Sequence, residues 1–346
     1  MVKAGTIPAF NEFYSRQMVL KELGRKGQRK LAASNVAIVG LGGLGTISSL
    51  YLTLAGVGHL RLIDQDIVEL RNLHRQILYS PKDVNYPKVE VASKALRKHN
   101  PLVKVEPVPE NLHASNAEKL LAGMDCVVDG LDNMQTRYLV NRACAKLRIP
   151  YVFGAAIGIE GNVSVFAPPE TPCLECVFPT VDDGKLLTCD VRGVLGAAPG
   201  VIGAMQAIEA VKVLAGMGVP LKGKLLICDF NDMYFTAIDV FRRGNCEACG
   251  DSTTVRAGKE KLVWLCGRDT VNINPEKPWQ RSFDDVCRLV RKRFSVHVKS
   301  RLAIMFAYKG FEVTLFNGGR TLIKNVKDEK SALRTYKEIM DKLGAG

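Results

Sequence analysis

The chain has 346 residues, more than one ordinary hydrophobic core requires, which predicts two or three domains. Its composition, 47% hydrophobic and 24% charged with no low-complexity run, is typical of a soluble globular protein. No apolar run approaches the roughly 20 residues that span a bilayer. Residues 1–11 lack the apolar core of a signal peptide, so we expect a cytoplasmic protein with no membrane partner.

The net charge of +13 permits three interpretations. Much of the excess lies in residues 21–30 and 288–293, which solvated helix faces explain most simply. A docking surface for an acidic protein and a nucleic-acid site are the alternatives, because charge alone supports arguments only about solubility and steering. In a compartment that keeps thiols reduced, the ten cysteines are expected to bind metal, react or lie buried.

The first half of the chain alternates between predicted strands and helices. The order strand, glycine turn, helix, strand forms a βαβ unit, and Asp64 closes its second strand. Repeated units of this kind predict a doubly wound, mainly parallel sheet in a Rossmann-like α/β fold. The predicted elements are a helix over 11–33, a strand over 35–39, a glycine-rich loop over 40–45, a helix over 44–55, strands over 60–63, 103–108 and 126–129, and helices over 88–99 and 137–147.

The pattern changes after residue 150. Residues 151–166 are strand-like and interrupted by glycine, which predicts an antiparallel extension of the sheet, followed by a helix over 199–215 and a strand over 225–229. We place a first domain over 1–250, a linker over 251–270 and a small α+β domain over 271–346. The last domain is expected to contain a helix over 283–293, three short strands between 295 and 324, a hairpin turn at Asn317-Gly318 and a helix over 329–343.

The glycine-rich loop predicts a nucleotide site. Glycines at this turn let backbone N–H groups approach phosphate oxygens at a helix N-terminus, where the helix dipole also favours an anion. Asp64, at the end of the second strand, is placed to accept hydrogen bonds from ribose hydroxyls. The loop alone does not decide between NAD and ATP, since many Rossmann enzymes carry it.

The segment Asn72-Leu73-His74-Arg75-Gln76, with Lys88 beyond it, favours ATP. An enzyme that cleaves ATP between its α and β phosphates needs cations to neutralise the departing pyrophosphate, whereas a dehydrogenase does not. Arg75 and Lys88 supply that charge, and Asn72 would hold an oxygen or the metal. The alternative for Lys88 is a solvated helix residue after Pro87.

Asp132 follows the strand over 126–129, so its carboxylate is expected at the carboxyl edge of the sheet, where ligands of open α/β sheets bind. A carboxylate beside a triphosphate is a usual magnesium ligand, and we expect it to hold Mg²⁺. The alternative is that Asp132 caps the following helix without any metal.

Two Cys-x-x-Cys pairs predict a metal site of a different kind. Each pair supplies two adjacent corners of a tetrahedron, so four such thiolates suit a structural zinc ion. The predicted ligands are Cys173, Cys176, Cys246 and Cys249.

Taken in order, these motifs resemble those of the ThiF/MoeB/ubiquitin-activating superfamily, whose members adenylate the C-terminal glycine of a ubiquitin-like or sulfur-carrier protein. The resemblance covers roughly residues 10–250 and rests on the Tyr14-Ser15-Arg16-Gln17 segment, the glycine-rich loop, Asp64-Gln65-Asp66, the segment from Asn72 to Gln76, Lys88, Asp132-Asn133 with Thr136-Arg137, and both cysteine pairs. It implies ATP binding by Gly42, Asp64, Asn72, Arg75, Lys88 and Asp132. The nucleotide set that we predict also includes Gly40, Gly43, Gly45, Asp66 and Gln76.

The resemblance implies two further roles. Arg16 would reach into the site of a neighbouring subunit, so a homodimer is the expected active form. Cys189 occupies a place where similar enzymes carry a cysteine that accepts the acyl group as a thioester or carries a persulfide. A thiolate near a helix N-terminus and Arg192 suits that chemistry, but some members only adenylate, and a bystander thiol is the alternative.

The predicted function is therefore ATP-dependent adenylation of a small carrier protein ending in Gly-Gly. An RNA-modifying relative that activates a carboxylate on tRNA is the alternative; a nicotinamide oxidoreductase and a non-catalytic scaffold fit the cations less well. The tail is similar in size and element order to the ubiquitin-fold domain of ubiquitin-activating enzymes, which would recruit a conjugating enzyme or a sulfur donor. A structural lid or a dimerisation module is the alternative for the tail.

Overall fold

Two β-sheets organise the protein. The computed structural model describes residues 9–181, 183, 193–250, 262–264, 269–275, 279 and 281–344. The first sheet has eight strands and is flanked by helices, whereas the second has six strands and lies in the C-terminal part of the chain.

The first sheet confirms the predicted fold class. Its strand order is β3-β2-β1-β4-β5-β6-β7-β8, with parallel pairing from β3 to β5 and antiparallel pairing from β5 to β8. The order reverses between β1 and β4, which creates the switch point where ligands of such sheets bind. The strands are β1 (Asn35–Val39), β2 (His59–Ile63), β3 (Lys104–Val108), β4 (Cys126–Asp129), β5 (Tyr151–Ile157), β6 (Glu160–Phe166), β7 (Lys224–Asp229) and β8 (Tyr234–Asp239).

The helices of this part cover the sheet on both faces. They are α1 (Phe10–Phe13), α2 (Ser15–Met18), α3 (Gly24–Ala33), α4 (Gly43–Ala55), α5 (Lys88–His99), α6 (Ala117–Leu121), α7 (Met134–Leu147), α8 (Leu174–Val177) and α9 (Ala197–Ala215). The prediction of one helix over 11–33 is wrong, because three helices occupy that range. Gly24 adopts φ +58°, a left-handed conformation that interrupts a right-handed helix.

α9 has 19 residues with a mean hydropathy of 1.3, so by length and composition it could span a membrane. The sequence-based expectation that no apolar run approaches this length therefore does not hold for this helix. The central helix of a globular protein passes the same test, and here Ile202, Gln206 and Ala210 are buried. A Cβ on Gly203 would lie 2.6 Å from the carbonyl oxygen of Leu44, which shows how closely α9 packs on α4.

The second sheet is antiparallel throughout, in the order β11-β12-β13-β14-β10-β9. Four strands, not the predicted three, lie between 295 and 324. The missed turn is Lys309-Gly310, where φ is positive at both residues, as a tight two-residue hairpin requires. The elements are β9 (Leu262–Trp264), β10 (Thr270–Ile273), α10 (Phe283–Arg293), β11 (Ser295–Lys299), β12 (Ala303–Tyr308), β13 (Phe311–Phe316), β14 (Thr321–Lys324) and α11 (Glu329–Leu343).

This second sheet has its own hydrophobic core, built with α10 and α11. Val290, Phe306, Val313, Ile323 and Ile339 are fully buried in it. β9 lies inside the range predicted as the linker, so the sheet includes residues that the sequence pattern assigned to the connection.

Candidate active site

The glycine-rich loop lies at the switch point of the first sheet. β1 and β4 are neighbours there, and they lead into Gly40 and Gly130. A Cβ on Gly40 would lie 2.5 Å from the Gly130 oxygen, and one on Gly45 would lie 1.9 Å from the Gly40 oxygen, so both positions require glycine. A Cβ on Gly42 would meet nothing nearer than 3.7 Å. Gly42 is thus the least crowded of these three positions, and it lies at the N-terminus of α4, where a phosphate group is expected to bind.

Asp64 connects this loop to the turn after β2. Its carboxylate accepts hydrogen bonds from the backbone N–H of Leu41 at 2.6 Å and of Asp66 at 2.7 Å. Asp66 in turn pairs with Lys88, with 2.8 Å between Oδ2 and Nζ. Lys88 is 5% exposed, which rules out the solvated helix residue considered above. Burial lowers the pKa of Lys88, but the charges of Asp66 and Asp64 outweigh it and raise that pKa above its ordinary value, so the ammonium group stays charged.

Arg75 lies beside the start of α4. A Cβ on Gly43 would be 3.5 Å from the Arg75 carbonyl oxygen. The Arg75 guanidinium donates to Asn72 Oδ1 at 2.8 Å and lies 3.3 Å from His74 Nε2, and neither partner is a carboxylate. The neighbouring Gln76 is 2% exposed, and its Oε1 has no hydrogen-bond partner in the described part of the chain. Within the described residues, this segment therefore supplies a cation that pairs with no carboxylate and a buried acceptor that a polar ligand could satisfy.

Asp132 lies exposed at the carboxyl end of β4, close enough to Lys88 to raise the pKa of that residue. It does not cap α7. The cap is Asn133, whose Oδ1 accepts from the Thr136 N–H at 2.9 Å, while Asp183 accepts from the Met134 N–H at 2.7 Å. The capping alternative is thereby excluded, and the Asp132 carboxylate remains suited to a magnesium ion held beside phosphate oxygens.

A buried ion pair beneath Asp132 was not predicted as part of the site. Asp129 accepts from Arg137 Nε at 2.9 Å and from the Tyr151 hydroxyl at 2.6 Å, and all three residues are buried. The Arg137 guanidinium also donates to the Leu131 carbonyl at 2.7 Å, so the network holds the turn that carries Asp132. The sequence offered one signal for this pair. Asp129 ends the apolar strand β4, and a buried carboxylate there needs a cationic partner, because burying an unpaired charge costs free energy.

We expect Asp129→Asn to lower the free energy of unfolding by about 3–5 kcal/mol, because it leaves the buried Arg137 guanidinium without its anion. Chemical denaturation measures the loss. Asp125→Asn is the control, since Asp125 accepts from the exposed end of β1 at Asn35. An unfolding free energy of Asp129→Asn equal to that of the control would contradict the role of the ion pair.

The four predicted zinc ligands are brought together. Their sulfur atoms all lie within 4.8 Å of one another, and all four residues are buried. The Sγ–Sγ distances are 3.8 Å for Cys173–Cys176, 3.6 Å for Cys173–Cys246 and 3.5 Å for Cys176–Cys249. Zn–S bonds of about 2.3 Å at tetrahedral angles place sulfurs roughly 3.8 Å apart, so the cluster fits a zinc ion with no open position.

One predicted catalytic residue lies apart from these contacts. Arg16 is exposed on α2, and no described hydrogen bond or ion pair joins it to the nucleotide residues of its own chain. Cys189 lies outside the described residues. The remaining predicted nucleotide residues converge on the carboxyl edge of β1, β2 and β4.

The fold and the site together define a nucleotide-binding α/β enzyme. Its features are a glycine turn at the switch point, an acid after β2, clustered cations and a Cys₄ cluster. The ThiF family model matches residues 14–248, and the chain belongs to this family. It is an ATP-dependent enzyme of the adenylyltransferase type, as its named relatives are. The family match ends before the second sheet begins.

Curated relatives and solved structures agree with this assignment. A sulfur carrier protein adenylyltransferase of Thermus thermophilus is 45% identical over 249 residues, covering 70% of this chain and 92% of the relative. A SAMP-activating enzyme E1 of Haloferax volcanii is 42% identical over 239 residues, covering 69% and 88%. The adenylyltransferase and sulfurtransferase MOCS3 of Culex quinquefasciatus is 42% identical, but the match spans only 56% of that protein. Among solved structures, E. coli MccB with AMPCPP and MccA superposes with a TM-score of 0.60 at 27% identity, covering 70% of this chain and 77% of that one.

Proposed function

We propose that this enzyme uses ATP to adenylate the C-terminal glycine of a small ubiquitin-like or sulfur-carrier protein. The observation that carries the proposal is a connected set of groups near the start of α4. The Arg75 backbone lies beside Gly43, Asp64 accepts from the Leu41 N–H, and Lys88 pairs with Asp66 and lies near Asp132. Relatives named for sulfur carriers and for SAMP support the choice of substrate class.

The reaction follows from this set of groups. A carboxylate oxygen of the carrier attacks the α-phosphorus of ATP, the bond from that phosphorus to the bridging oxygen breaks, and pyrophosphate leaves with the electron pair. Arg75 and Lys88 stabilise the charge that develops on the departing phosphates. Asp64 holds the ribose, and Gly42 leaves room for a phosphate at the helix N-terminus. Asp132 would hold Mg²⁺, which would neutralise phosphate charge.

Among the described strands, β8 forms one edge of the first sheet, and this edge offers a docking surface for the carrier. Exposed apolar side chains follow one another along and beyond this strand, at Tyr234, Phe235, Ile238 and Phe241. An exposed apolar edge strand is rare without a partner, because it invites pairing with another chain. A β-rich carrier would bury these side chains and direct its flexible C-terminus to the nucleotide.

The active form is a homodimer in this proposal. The packed helices α4 and α9 expose Tyr51, Val201 and Ile208, a set of apolar groups that a second copy would cover. Arg16, exposed and apart from its own site, would complete the site of the other subunit.

Mixing two inactive variants tests this arrangement. If Arg16 acts across the interface, Arg16→Ala and Asp132→Ala subunits combined in equal amounts regain about a quarter of the wild-type activity, because half of the dimers then contain one intact site. Pyrophosphate exchange after refolding the mixture together measures this recovery. Activity no higher than that of the separate variants would place Arg16 outside the partner's site.

The fate of the adenylate is the finer part of the proposal. The acyl group passes to a thiolate, with Cys189 as the candidate acceptor, and AMP leaves. A carrier adduct that thiol reductants release in the wild type, and that is absent in Cys189→Ala, supports this step. An adduct that persists in Cys189→Ala rules that cysteine out.

Exchange of labelled pyrophosphate into ATP tests the function directly. With ATP and Mg²⁺ present, a carrier ending in Gly-Gly should support exchange, whereas the same carrier lacking its last two glycines should not. Unfractionated tRNA is the competing substrate. Exchange that depends on tRNA and not on a Gly-Gly protein would overturn the choice of substrate.

A further inference from the structure

An arginine in the turn between β13 and β14 contacts the loops at the nucleotide end of the first sheet. Arg320 is 5% exposed, and its guanidinium donates to the Gln65 carbonyl at 2.7 Å, the Pro109 carbonyl at 3.1 Å and Asn272 Oδ1 at 2.9 Å. Gln65 follows β2 and Pro109 follows β3, so the guanidinium bridges the two loops at the carboxyl ends of these strands. In a Rossmann-like sheet, the ribose of the nucleotide binds at the end of β2.

The loop that Arg320 holds carries the ribose acid. Gln65 lies between Asp64, which binds the Leu41 N–H of the glycine-rich loop, and Asp66, which pairs with Lys88. A hydrogen bond to the Gln65 carbonyl therefore fixes the middle of a turn whose two ends position the phosphate loop and a catalytic cation.

A second contact, from Lys324 on β14, leads to the other cation, Arg75. Lys324 pairs with Glu69 at 3.0 Å, and Glu69 accepts from Asn72 Nδ2 at 3.4 Å. Asn72 Oδ1 accepts from the Arg75 guanidinium at 2.8 Å. Burial raises the pKa of Glu69, but Lys324 and Arg71 outweigh it and hold that pKa below its ordinary value, so the carboxylate remains charged. One chain of contacts thus runs from β14 to Arg75.

The conformation of the β13–β14 hairpin fixes the position of the Arg320 side chain. Gly319 adopts φ +94°, and a Cβ there would lie 2.6 Å from the Trp279 ring, so only glycine fits. The Arg320 guanidinium stacks on Phe316, 3.6 Å from the ring centroid, which fixes its plane. Apolar packing of Ile67 against Phe316 holds the two parts of the protein together at this point.

We propose that the C-terminal sheet is a positioning element of the ATP site, with Arg320 and Lys324 holding segment 64–75 in its ATP-binding geometry. Neither residue touches the reacting atoms, so both act through others. This inference rests on the proposed use of ATP and not on the identity of the carboxylate substrate. The part of the chain outside the family match thereby acquires a role in the proposed reaction.

The test measures nucleotide binding without any carrier. Calorimetric titration of the full-length chain with a non-hydrolysable ATP analogue and Mg²⁺ is expected to show about tenfold weaker binding for Arg320→Met. Arg320→Lys should recover only part of the loss, because one ammonium group cannot replace a guanidinium that donates to three acceptors. Lys324→Met, Glu69→Gln and the double variant should weaken binding by the same factor, since they break one chain of contacts.

Two controls separate positioning from general destabilisation. Ile339→Val loosens the core of the second sheet away from these contacts, and Lys309→Met removes an exposed ion pair with Glu338. Both should bind the analogue as the wild type does, even where the thermal midpoint falls.

Wild-type affinity in a folded Arg320→Met variant, or equal weakening in Ile339→Val, would overturn the proposal. Independent effects of Lys324→Met and Glu69→Gln that add in the double variant would also contradict the chain from β14 to Arg75. Loss of analogue affinity in Arg320→Met, combined with no carrier-dependent exchange in the wild type, would refute the carrier substrate and leave the positioning role standing.

Discussion

Arg75→Ala is expected to reduce ATP–pyrophosphate exchange by about 10²–10³-fold, because it removes a cation from the departing phosphates. The effect should appear chiefly in kcat, since the charge that Arg75 stabilises grows as the phosphate bond breaks. Arg75→Lys keeps the positive charge but loses the planar guanidinium group that donates to Asn72, so we expect partial activity. Exchange rates at saturating ATP and carrier measure the effect.

The matched control is Arg29→Ala, which removes an exposed arginine from α3. Its exchange rate should equal that of the wild type. Full exchange by Arg75→Ala would show that the cation contributes nothing to catalysis, and the choice of ATP chemistry over nicotinamide chemistry would lose its main support.

Cys176→Ser is expected to remove bound zinc and to destabilise the fold by several kcal/mol. Binding of zinc by four thiolates contributes directly to folding free energy, since the ligands are dispersed in the unfolded chain. Cys173 and Cys176 are separated by 69 or more residues from Cys246 and Cys249, so the ion ties distant segments together. Zinc content by atomic absorption and the urea midpoint should fall together.

Cys144→Ala is the matched control, because Cys144 is buried in the core beside the first sheet but lies outside the cysteine cluster. It should keep full zinc content while losing stability only through its cavity. A Cys176→Ser variant that retains stoichiometric zinc, or that unfolds at the wild-type urea concentration, would contradict a structural zinc site.

Much of the fold could be predicted from local patterns. β1, β4, α5, α10 and α11 have the predicted bounds, because each combines an apolar period with a clear start or stop. β8 was missed because five of its six side chains are exposed and only its pairing with β7 makes it a strand. The break at Gly24 and the turn at Lys309-Gly310 were visible as glycines, but their left-handed conformations were not.

The parts of the site that follow from residue type and from the order of the elements could be predicted from the sequence. The glycine-rich loop, Asp64 and Lys88 lie close together at the strand ends, because the order of βα units determines which strand ends meet. The four cysteines form a cluster of their own. The Asp129–Arg137 pair and the reach of Arg320 were missed. Arg320 contacts Gln65 across 255 residues of chain, which no local pattern encodes. Asp129 and Arg137 are only eight residues apart, but their pairing joins the end of β4 to α7 and depends on how the helix packs on the sheet.

The most direct measurement is a crystal structure of the protein with a non-hydrolysable ATP analogue and Mg²⁺. The expected result has the Arg75 and Lys88 nitrogens within hydrogen-bond distance of phosphate oxygens, Asp64 on the ribose and Asp132 at the metal. Phosphates bound elsewhere, with Arg75 and Lys88 directed away from them, would contradict the assignment of this cluster to ATP cleavage.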